Sequence, residues 1–220
     1  MEKEKNIKLK FEGDYLNWQK NGKGKEYYDN GKLKFEGEYL NWKKNGKGKE
    51  YYDNGKLKFE GEYLNEKENG LCKLYSSNGI LYFEGEYLNG EKHGKCKEYD
   101  RYRGKLIFEG EYRKGNKWNG KVKEYHWNSD KLEFEGEYLN GEKNGFCKEY
   151  NYDGKLEFEG EYLNGKRNGK GKEYYTYNGK LKFEGEFKNG LRNGKGKEYN
   201  IYNGELEYEG EYINGEKNSK

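Results

Sequence analysis

The sequence contains no proline among its 220 residues, and it has only three cysteines and two histidines. The lack of proline excludes collagen and proline-rich linkers. Three cysteines are too few for a disulfide framework and favour a reducing compartment. No run of about 18 apolar residues occurs, so no helix is expected to span a bilayer. The charged first residues predict no secretory signal peptide, and the sequence therefore favours a cytoplasmic location.

Apolar residues are also scarce, at 30%, whereas globular domains hold about 45–50%. Charged residues reach 39%, and the mean hydropathy is −1.55. These values alone suggest disorder, but an aromatic content of 18% and a net charge of only +3 oppose it. Because Lys+Arg 44 and Asp+Glu 41 nearly cancel, nucleic acid is not expected as a partner.

What the chain has instead is internal repetition. The phrase FEGEY, or a close variant, recurs at intervals of 24 to 26 residues. This period predicts a single repeat array over residues 1–220, with eight full repeats and a C-terminal half repeat. The aromatic residue that begins the phrase lies at Phe11, Phe35, Phe59, Phe83, Phe108, Phe134, Phe158, Phe183 and Tyr208.

One repeat contains two short runs separated by turn signals. The run Leu33–Tyr39 alternates apolar or small residues with charged ones, which is the pattern of a half-buried strand. The run Lys47–Tyr52 is also typical of a strand. Asn41–Gly46 includes Asn-Gly, and Asp53–Gly55 is Asp-Asn-Gly, both of which favour hairpin turns. The chain is therefore predicted to be an all-β, single-layer antiparallel sheet of tandem β-hairpins.

The repeated aromatic residues are expected to hold this sheet together by forming two ladders along one face. Glycine at the centre of the phrase, as at Gly37, leaves a groove in which a ring can lie flat. On the opposite face, Lys47 and Lys49 are expected across from Glu36 or Glu38. The predicted ladder residues are Phe35, Tyr39, Phe59, Tyr63, Phe83, Tyr87, Phe158 and Tyr162.

The half repeat at the C-terminal end raises a question of assembly. Its strand, about Glu205–Ile213, is expected to lack a return strand and to form an exposed sheet edge. Exposed edges pair readily with other strands. The sequence therefore predicts a homo-oligomer formed through this edge, or an edge shielded only by its charges.

The residues that usually carry chemistry all fit the repeat. Cys72, Cys96 and Cys147 share a position that elsewhere holds glycine or valine, so they are predicted to pack rather than to bind metal. His93 and His126 replace turn or strand residues of other repeats. Carboxylates recur evenly, and no phosphate-binding loop is present. No catalytic, metal or cofactor site is therefore predicted, and the protein is not expected to be an enzyme.

Four tryptophans form the candidate interaction patch. Trp18 and Trp42 occupy one turn position in adjacent repeats, where most later repeats carry glycine. They either form a contact surface or fold over their own loops. Trp118 and Trp127 lie in the irregular repeat near the middle of the chain. That repeat is a bend, a binding spot or sequence drift, and the sequence leaves the choice open.

Two segments resemble a known repeat family. The segment Gly160–Gly171, GEYLNGKRNGKG, is similar to the consensus of MORN repeats. The segment Gly46–Gly61, GKGKEYYDNGKLKFEG, is similar to the variant MORN repeat of bacterial antitoxin-like proteins. The resemblance extends over essentially the whole chain. It implies an elongated, twisted antiparallel sheet that serves as a scaffold, a dimerisation surface or a protein-binding module.

The leading hypothesis is accordingly a non-enzymatic scaffold that binds a protein partner. A phosphoinositide or membrane-surface adaptor that contacts anionic lipid is one alternative, and an antitoxin-like protein that neutralises a toxin is another; both rest on the resemblance. A carbohydrate or choline binder made of aromatic hairpins is a further alternative. Such binders rely on regularly spaced tryptophan, and here tryptophan is scattered.

Overall fold

The computed structural model describes residues 10–127 and 129–218. These residues contain no helix, and their strands confirm the all-β prediction. The strands are β1 (Phe11–Leu16), β2 (Gln19–Tyr27), β3 (Leu33–Leu40), β4 (Lys43–Tyr51), β5 (Leu57–Leu64), β6 (Lys67–Tyr75), β7 (Leu81–Leu88), β8 (Glu91–Tyr99), β9 (Leu106–Arg113), β10 (Asn116–Tyr125), β11 (Leu132–Leu139), β12 (Glu142–Tyr150), β13 (Leu156–Leu163), β14 (Lys166–Tyr174), β15 (Leu181–Lys188), β16 (Leu191–Tyr199), β17 (Leu206–Ile213) and β18 (Glu216–Lys217).

Hydrogen bonds assign the eighteen strands to a single open antiparallel sheet of hairpin repeats. The chain divides into two compact units. Unit 1 comprises the described residues up to Leu106 together with Glu111–Asn116, and unit 2 comprises Ile107–Gly110 and the described residues from Lys117 onward. In unit 1, β1 to β8 pair consecutively, as do β10 to β18 in unit 2.

The first turn of each repeat is a two-residue hairpin loop. In the second repeat Leu40 pairs with Lys43, and both Asn41 (φ 48°) and Trp42 (φ 72°) adopt positive φ, as a type I′ turn requires. The expectation that Asn45–Gly46 belongs to the turn is wrong. This dipeptide lies inside β4 and forms a bulge, where the Glu38 carboxylate lies over Gly46 and leaves no room for a Cβ.

The second turn lies where the sequence predicts it. Gly55 donates its N–H to the carbonyl of Tyr52 at 2.8 Å and closes the turn. The Tyr52 hydroxyl donates to the carbonyl of Tyr75 in the next repeat at 2.8 Å, which ties successive loops together. In unit 2, a ring nitrogen of His126 lies 3.1 Å from the carbonyl of Tyr150 at the equivalent place. His126 therefore takes the place of a tyrosine that links successive loops by a hydrogen bond.

The core consists of phenylalanine rings lying on glycine backbone. Gly37 in β3 and Gly48 in β4 lie directly opposite each other. The ring of Phe35 covers both, because a Cβ placed on Gly48 would come within 2.7 Å of it. Phe35 is thereby fully buried within a single layer. The corresponding phenylalanines that are also buried are Phe59, Phe83, Phe108, Phe134, Phe158 and Phe183.

The aromatic residues form one zigzag row rather than two separate ladders. Phe35 meets the edge of Tyr39 in its own strand, with ring centroids 5.4 Å apart, and that of Tyr63 in the next repeat, at 5.7 Å. The rings interlock because each phenylalanine bends over the glycine that separates it from its own tyrosine. Further pairs from the predicted set are Phe59–Tyr63, Phe83–Tyr87 and Phe158–Tyr162.

At the C-terminal end, the expectation of a strand without a return strand is wrong. The short strand β18 pairs with β17 through Ile213 and Glu216. Lys217 places its ammonium group 4.8 Å from the ring centroid of Tyr208 and 2.5 Å from the Glu198 carboxylate. Part of this edge is therefore covered, and self-association through it stays a prediction.

Candidate functional site

Each unit carries a trough on the face opposite the phenylalanine row. The trough of unit 1 has a volume of about 600 Å³, and that of unit 2 about 720 Å³. Paired glycines such as Gly37 and Gly48 form the floor, because their backbone is not covered by side chains on this face. Leu71 in unit 1 and Phe146 in unit 2 are exposed at the margins of the troughs, at a position that holds lysine in the other repeats.

Charges line the troughs in alternating rows. Odd-numbered strands contribute glutamates and even-numbered strands contribute lysines. Lys49 lies across from Glu36 in β3 and from Glu60 in β5, with 3.0 Å between the Lys49 ammonium and the Glu60 carboxylate. Because neighbouring rows neutralise each other, the troughs carry no excess of positive charge that would select an anionic ligand.

On the opposite face, a cation covers the phenylalanine of most repeats. The Lys44 ammonium lies 4.3 Å from the centroid of the Phe35 ring and 2.5 Å from the Glu50 carboxylate. The lysine stem thus covers the ring while its charge is paired. The other cations that lie over a phenylalanine in this way are Lys20, Lys92, Lys117, Lys143, Arg167 and Arg192.

In unit 2 these ion pairs join into a continuous chain. Arg167 bonds to Glu149 and, at 3.2 Å, to Glu173. Arg192 continues the chain from Glu173, at 2.5 Å, to Glu198. Each arginine therefore links consecutive repeats, which is the nearest-neighbour coupling that stabilises repeat arrays.

These pairs make stability depend on pH. Burial by itself would raise the pKa of Glu149, but hydrogen bonds from Tyr162 and Arg167 outweigh it and lower the pKa below the usual 4.5. Glu50 and Glu198 also have lowered pKa values for the same balance of causes. A carboxylate with a lowered pKa stabilises the fold above its unfolded-state pKa and loses that contribution as pH falls. We therefore expect a constant thermal midpoint above about pH 5 and a steep fall below it, measured by circular dichroism; an unchanged midpoint at pH 3 would contradict this.

The third repeat shows how strongly the cation and its glutamate are coupled. Glu68 occupies the position of Lys44, and Leu74 occupies that of Glu50. Both members of the pair are thus replaced together. The joint replacement is expected because a half-buried charge lowers the stability of the fold once its partner of opposite charge is lost.

The contact between Lys44 and Glu50 predicts that substitutions of these two residues have non-additive effects on the free energy of unfolding. Lys44→Glu should destabilise the protein by about 2–3 kcal/mol, because it places two carboxylates against each other on a half-buried face. Adding Glu50→Leu should recover at least half of that loss, as the third repeat does naturally. Urea unfolding of the single and double variants measures the coupling, and simple additivity would refute it.

Trp18 and Trp42 stand at the hairpin tips of unit 1 in strained backbone. Their φ angles are 64° and 72°, in the left-handed region that bulky residues avoid. Trp18 is 91% exposed, and Trp42 is 51% exposed and meets the ring of Tyr15 at 6.3 Å. Trp18 is therefore mostly exposed, whereas Trp42 is half-exposed and packs against a ring of the first repeat.

The other two predicted patch residues are far from each other. Trp118 lies near the start of β10, and Trp127 follows its end. Nine residues of extended strand separate them, about 30 Å. Trp118 lies beside the hairpin tip at Gly141, whereas Trp127 is exposed in the loop that leads to β11. These two residues do not share one patch.

The cysteines lie in the slot beneath the phenylalanine rings. Cys72, Cys96 and Cys147 are buried. Burial raises the pKa of the Cys72 thiol to about 12, so it is protonated at neutral pH and a poor nucleophile. Among the described residues, no cluster of three or more potential metal ligands is found. A search of the same residues found no helix suited to crossing a membrane.

Comparison with protein families assigns nearly all repeats. The MORN repeat matches residues 83–101, 134–155, 158–176, 183–200 and 208–220. The MORN repeat variant matches residues 20–41, 44–65 and 68–89. No curated protein matches the chain. The chain belongs to the MORN repeat family, whose repeats commonly bind proteins or membranes.

Proposed function

We propose that the protein is a non-enzymatic scaffold that binds a protein partner through the hairpin tips of unit 1. The observation that carries the proposal is the backbone strain at Trp18 and Trp42. Six later repeats place glycine at this turn position, which relieves the strain. Strained residues that are also exposed contribute little to stability, and such positions cluster at binding sites.

The surroundings of the tryptophans suit a protein interface. Tyr15, Leu16 and Leu40 are exposed beside them and extend the apolar surface. Tryptophan and tyrosine are enriched at the centres of protein interfaces, where polar residues form the rim. Lys43, exposed at the end of the second hairpin tip, supplies such a rim.

The anionic-lipid alternative has less support. Lysines of the troughs alternate with glutamates, and the cations of the opposite face are paired with carboxylates. Recognition of anionic lipid relies on about 4–8 clustered cations without intervening acids. No described feature favours the antitoxin alternative, which rests on the family resemblance.

Replacing the strained tryptophans by glycine should have opposite effects on stability and on binding of the partner. Trp18→Gly and Trp42→Gly should each stabilise the protein by about 0.5–1 kcal/mol, because glycine accepts positive φ without steric cost. Both substitutions should abolish capture of the partner. Glu66→Gly, at the same turn position of the third repeat, should leave capture of the partner unchanged. Its gain in stability should be smaller, because the Glu66 carboxylate accepts a hydrogen bond from the Lys44 N–H.

The experiment compares the three variants with the native protein by affinity capture from the native cell and mass spectrometry. Liposomes with and without anionic lipid serve as a parallel arm. Capture that survives both tryptophan substitutions would remove the hairpin tips as the binding site. Binding that appears only with anionic liposomes would favour the lipid alternative.

A further inference from the structure

Unit 2 carries a second set of exposed aromatic residues, at the loops that close the second turn of each repeat. Trp127, Tyr152, Tyr177 and Tyr202 are spaced by 25 residues each. They are 88%, 65%, 83% and 85% exposed. The first three repeats carry aspartate, serine and asparagine in the corresponding turns. In the fourth repeat, which belongs to unit 1, Tyr102 lies in this turn and is 80% exposed. Exposed aromatic residues therefore recur in these loops from the fourth repeat onward and are not a requirement of the turn.

The spacing of these residues is fixed by the sheet. Each loop joins an even-numbered strand to the next odd-numbered one, so successive aromatics are two strands apart. Strands lie about 4.8 Å apart, which places the aromatics about 9.5 Å from one another along one margin. Because the pairing of β10 to β17 is continuous, the four loops and their aromatic residues follow one another along this margin. Trp127 and Tyr152 are the second residues of their turns, whereas Tyr177 and Tyr202 are the third.

Hydrogen bonds between neighbouring loops hold the backbone of this row. The Lys155 ammonium donates to the carbonyl of Tyr177 at 2.8 Å, and Lys180 donates to that of Tyr202 at 2.5 Å. Asn178 donates to the carbonyl of Ile201 at 2.7 Å. The loops are thus tied to each other while the aromatic side chains stay exposed, so a ligand would find the backbone of the row already organised.

The row combines aromatic rings with polar neighbours, some of which carry charges of opposite sign. The Tyr152 ring is tilted against His126, with 5.3 Å between centroids, which limits its rotation. Thr176 and Asp153 are exposed beside the rings. The Asp153 carboxylate lies 3.6 Å from Lys131, so the row has no strong excess of either charge.

We propose that this row binds an extended β-1,4-linked glycan chain, with one aromatic residue stacked on every second sugar. Such a chain repeats every two sugars over a length close to the two-strand spacing of the row. The faces of its sugars present C–H groups, which stack on tyrosine and tryptophan, and its hydroxyls suit Thr176 and Asp153. An uncharged polymer also fits the balanced charge of the loops.

This site is separate from the tryptophan tips of the proposed function and does not depend on them. In this row tyrosine occupies most of the repeated positions at which other binders made of aromatic hairpins carry tryptophan. The proposal departs from the cytoplasmic location that the sequence favours, since β-1,4-linked glycans are components of cell walls.

The spacing predicts how affinity depends on ligand length. The probes are β-1,4-linked oligomers of N-acetylglucosamine with two, four, six and eight sugars, titrated into the full chain by calorimetry. Affinity should rise with each added pair of sugars, because each pair reaches one more aromatic residue. α-1,4-linked glucose oligomers, which coil, should bind more weakly at every length. Affinity that is independent of length, or equal for the two linkages, overturns the proposal.

Substitutions of the loop aromatic residues test whether the glycan binds to this row. Tyr177→Ala with Tyr202→Ala should weaken binding of the eight-sugar oligomer by about tenfold or more and leave the thermal midpoint unchanged. Phe146→Ala removes an exposed aromatic residue of unit 2 that lies outside the row and should leave the affinity unchanged. Unchanged affinity in the double variant, or binding of a proline-rich peptide in place of either glycan, would count against a glycan site.

Discussion

Replacing Phe158 with alanine is expected to destabilise the protein by about 3–5 kcal/mol. The Phe158 ring is fully buried, meets the rings of Tyr162 and Phe187, and lies under the Arg167 guanidinium at 4.0 Å. Its removal leaves a cavity between two repeats that the rigid strands cannot fill. Urea unfolding followed by circular dichroism measures the change.

A matched phenylalanine in the same unit provides the control. Phe146 is 59% exposed at the trough of unit 2. Phe146→Ala should therefore change stability by no more than about 0.5 kcal/mol. Similar losses for the two variants would show that the buried row does not hold the sheet together.

A single methyl group added to Gly160 is expected to cost about 2–3 kcal/mol. The added Cβ would lie 2.6 Å from the Cα of Gly171 and 2.7 Å from the carbonyl oxygen of Lys170, both backbone atoms of the paired strand β14. Backbone on the neighbouring strand cannot move aside without breaking the ladder. Gly160→Ala should therefore lower the urea midpoint strongly.

Gly171 lies directly opposite and is the control for this steric argument. The three atoms nearest to a Cβ at Gly171 belong to the Phe158 and Phe187 side chains and not to backbone. Other repeats already place Val122 or Cys147 at this position. Gly171→Ala should thus cost about 1 kcal/mol or less, and equal costs at the two glycines would contradict the assignment of the clash to backbone.

The same asymmetry explains which parts of the fold the sequence could predict. The odd-strand glycine is present in all nine copies of the phrase, whereas its partner varies among glycine, cysteine and valine. The period, the strand order and the ring lying on Gly37 follow from such local patterns. They depend only on neighbouring residues in the repeat.

Features that depend on long-range geometry were missed. Asn45–Gly46 is a stronger turn motif than Asn41–Trp42, but the bulge moves the reversal to the tryptophan. The same bulge brings Lys44 beside Glu50, a separation of six residues that no regular strand pattern suggests. The aromatic residues in the loops of unit 2 recur every 25 residues in the sequence, but sequence spacing alone does not show that these side chains are exposed.

Aromatic residues have two different roles in this chain. The phenylalanines and tyrosines of the zigzag row are buried and hold neighbouring repeats together. The tryptophans of the hairpin tips are exposed, strained and absent from most repeats. The first set explains how so polar a chain folds, and the second carries the proposal of a binding function.

Photo-crosslinking in the native cell tests that proposal most directly. A photoreactive phenylalanine analogue would replace Trp18 in one variant and Phe146 in another, both of which are exposed. The account predicts a discrete protein adduct from position 18 and none of the same mass from position 146. No adduct at position 18, or the same adduct at both positions, would contradict binding at the hairpin tips.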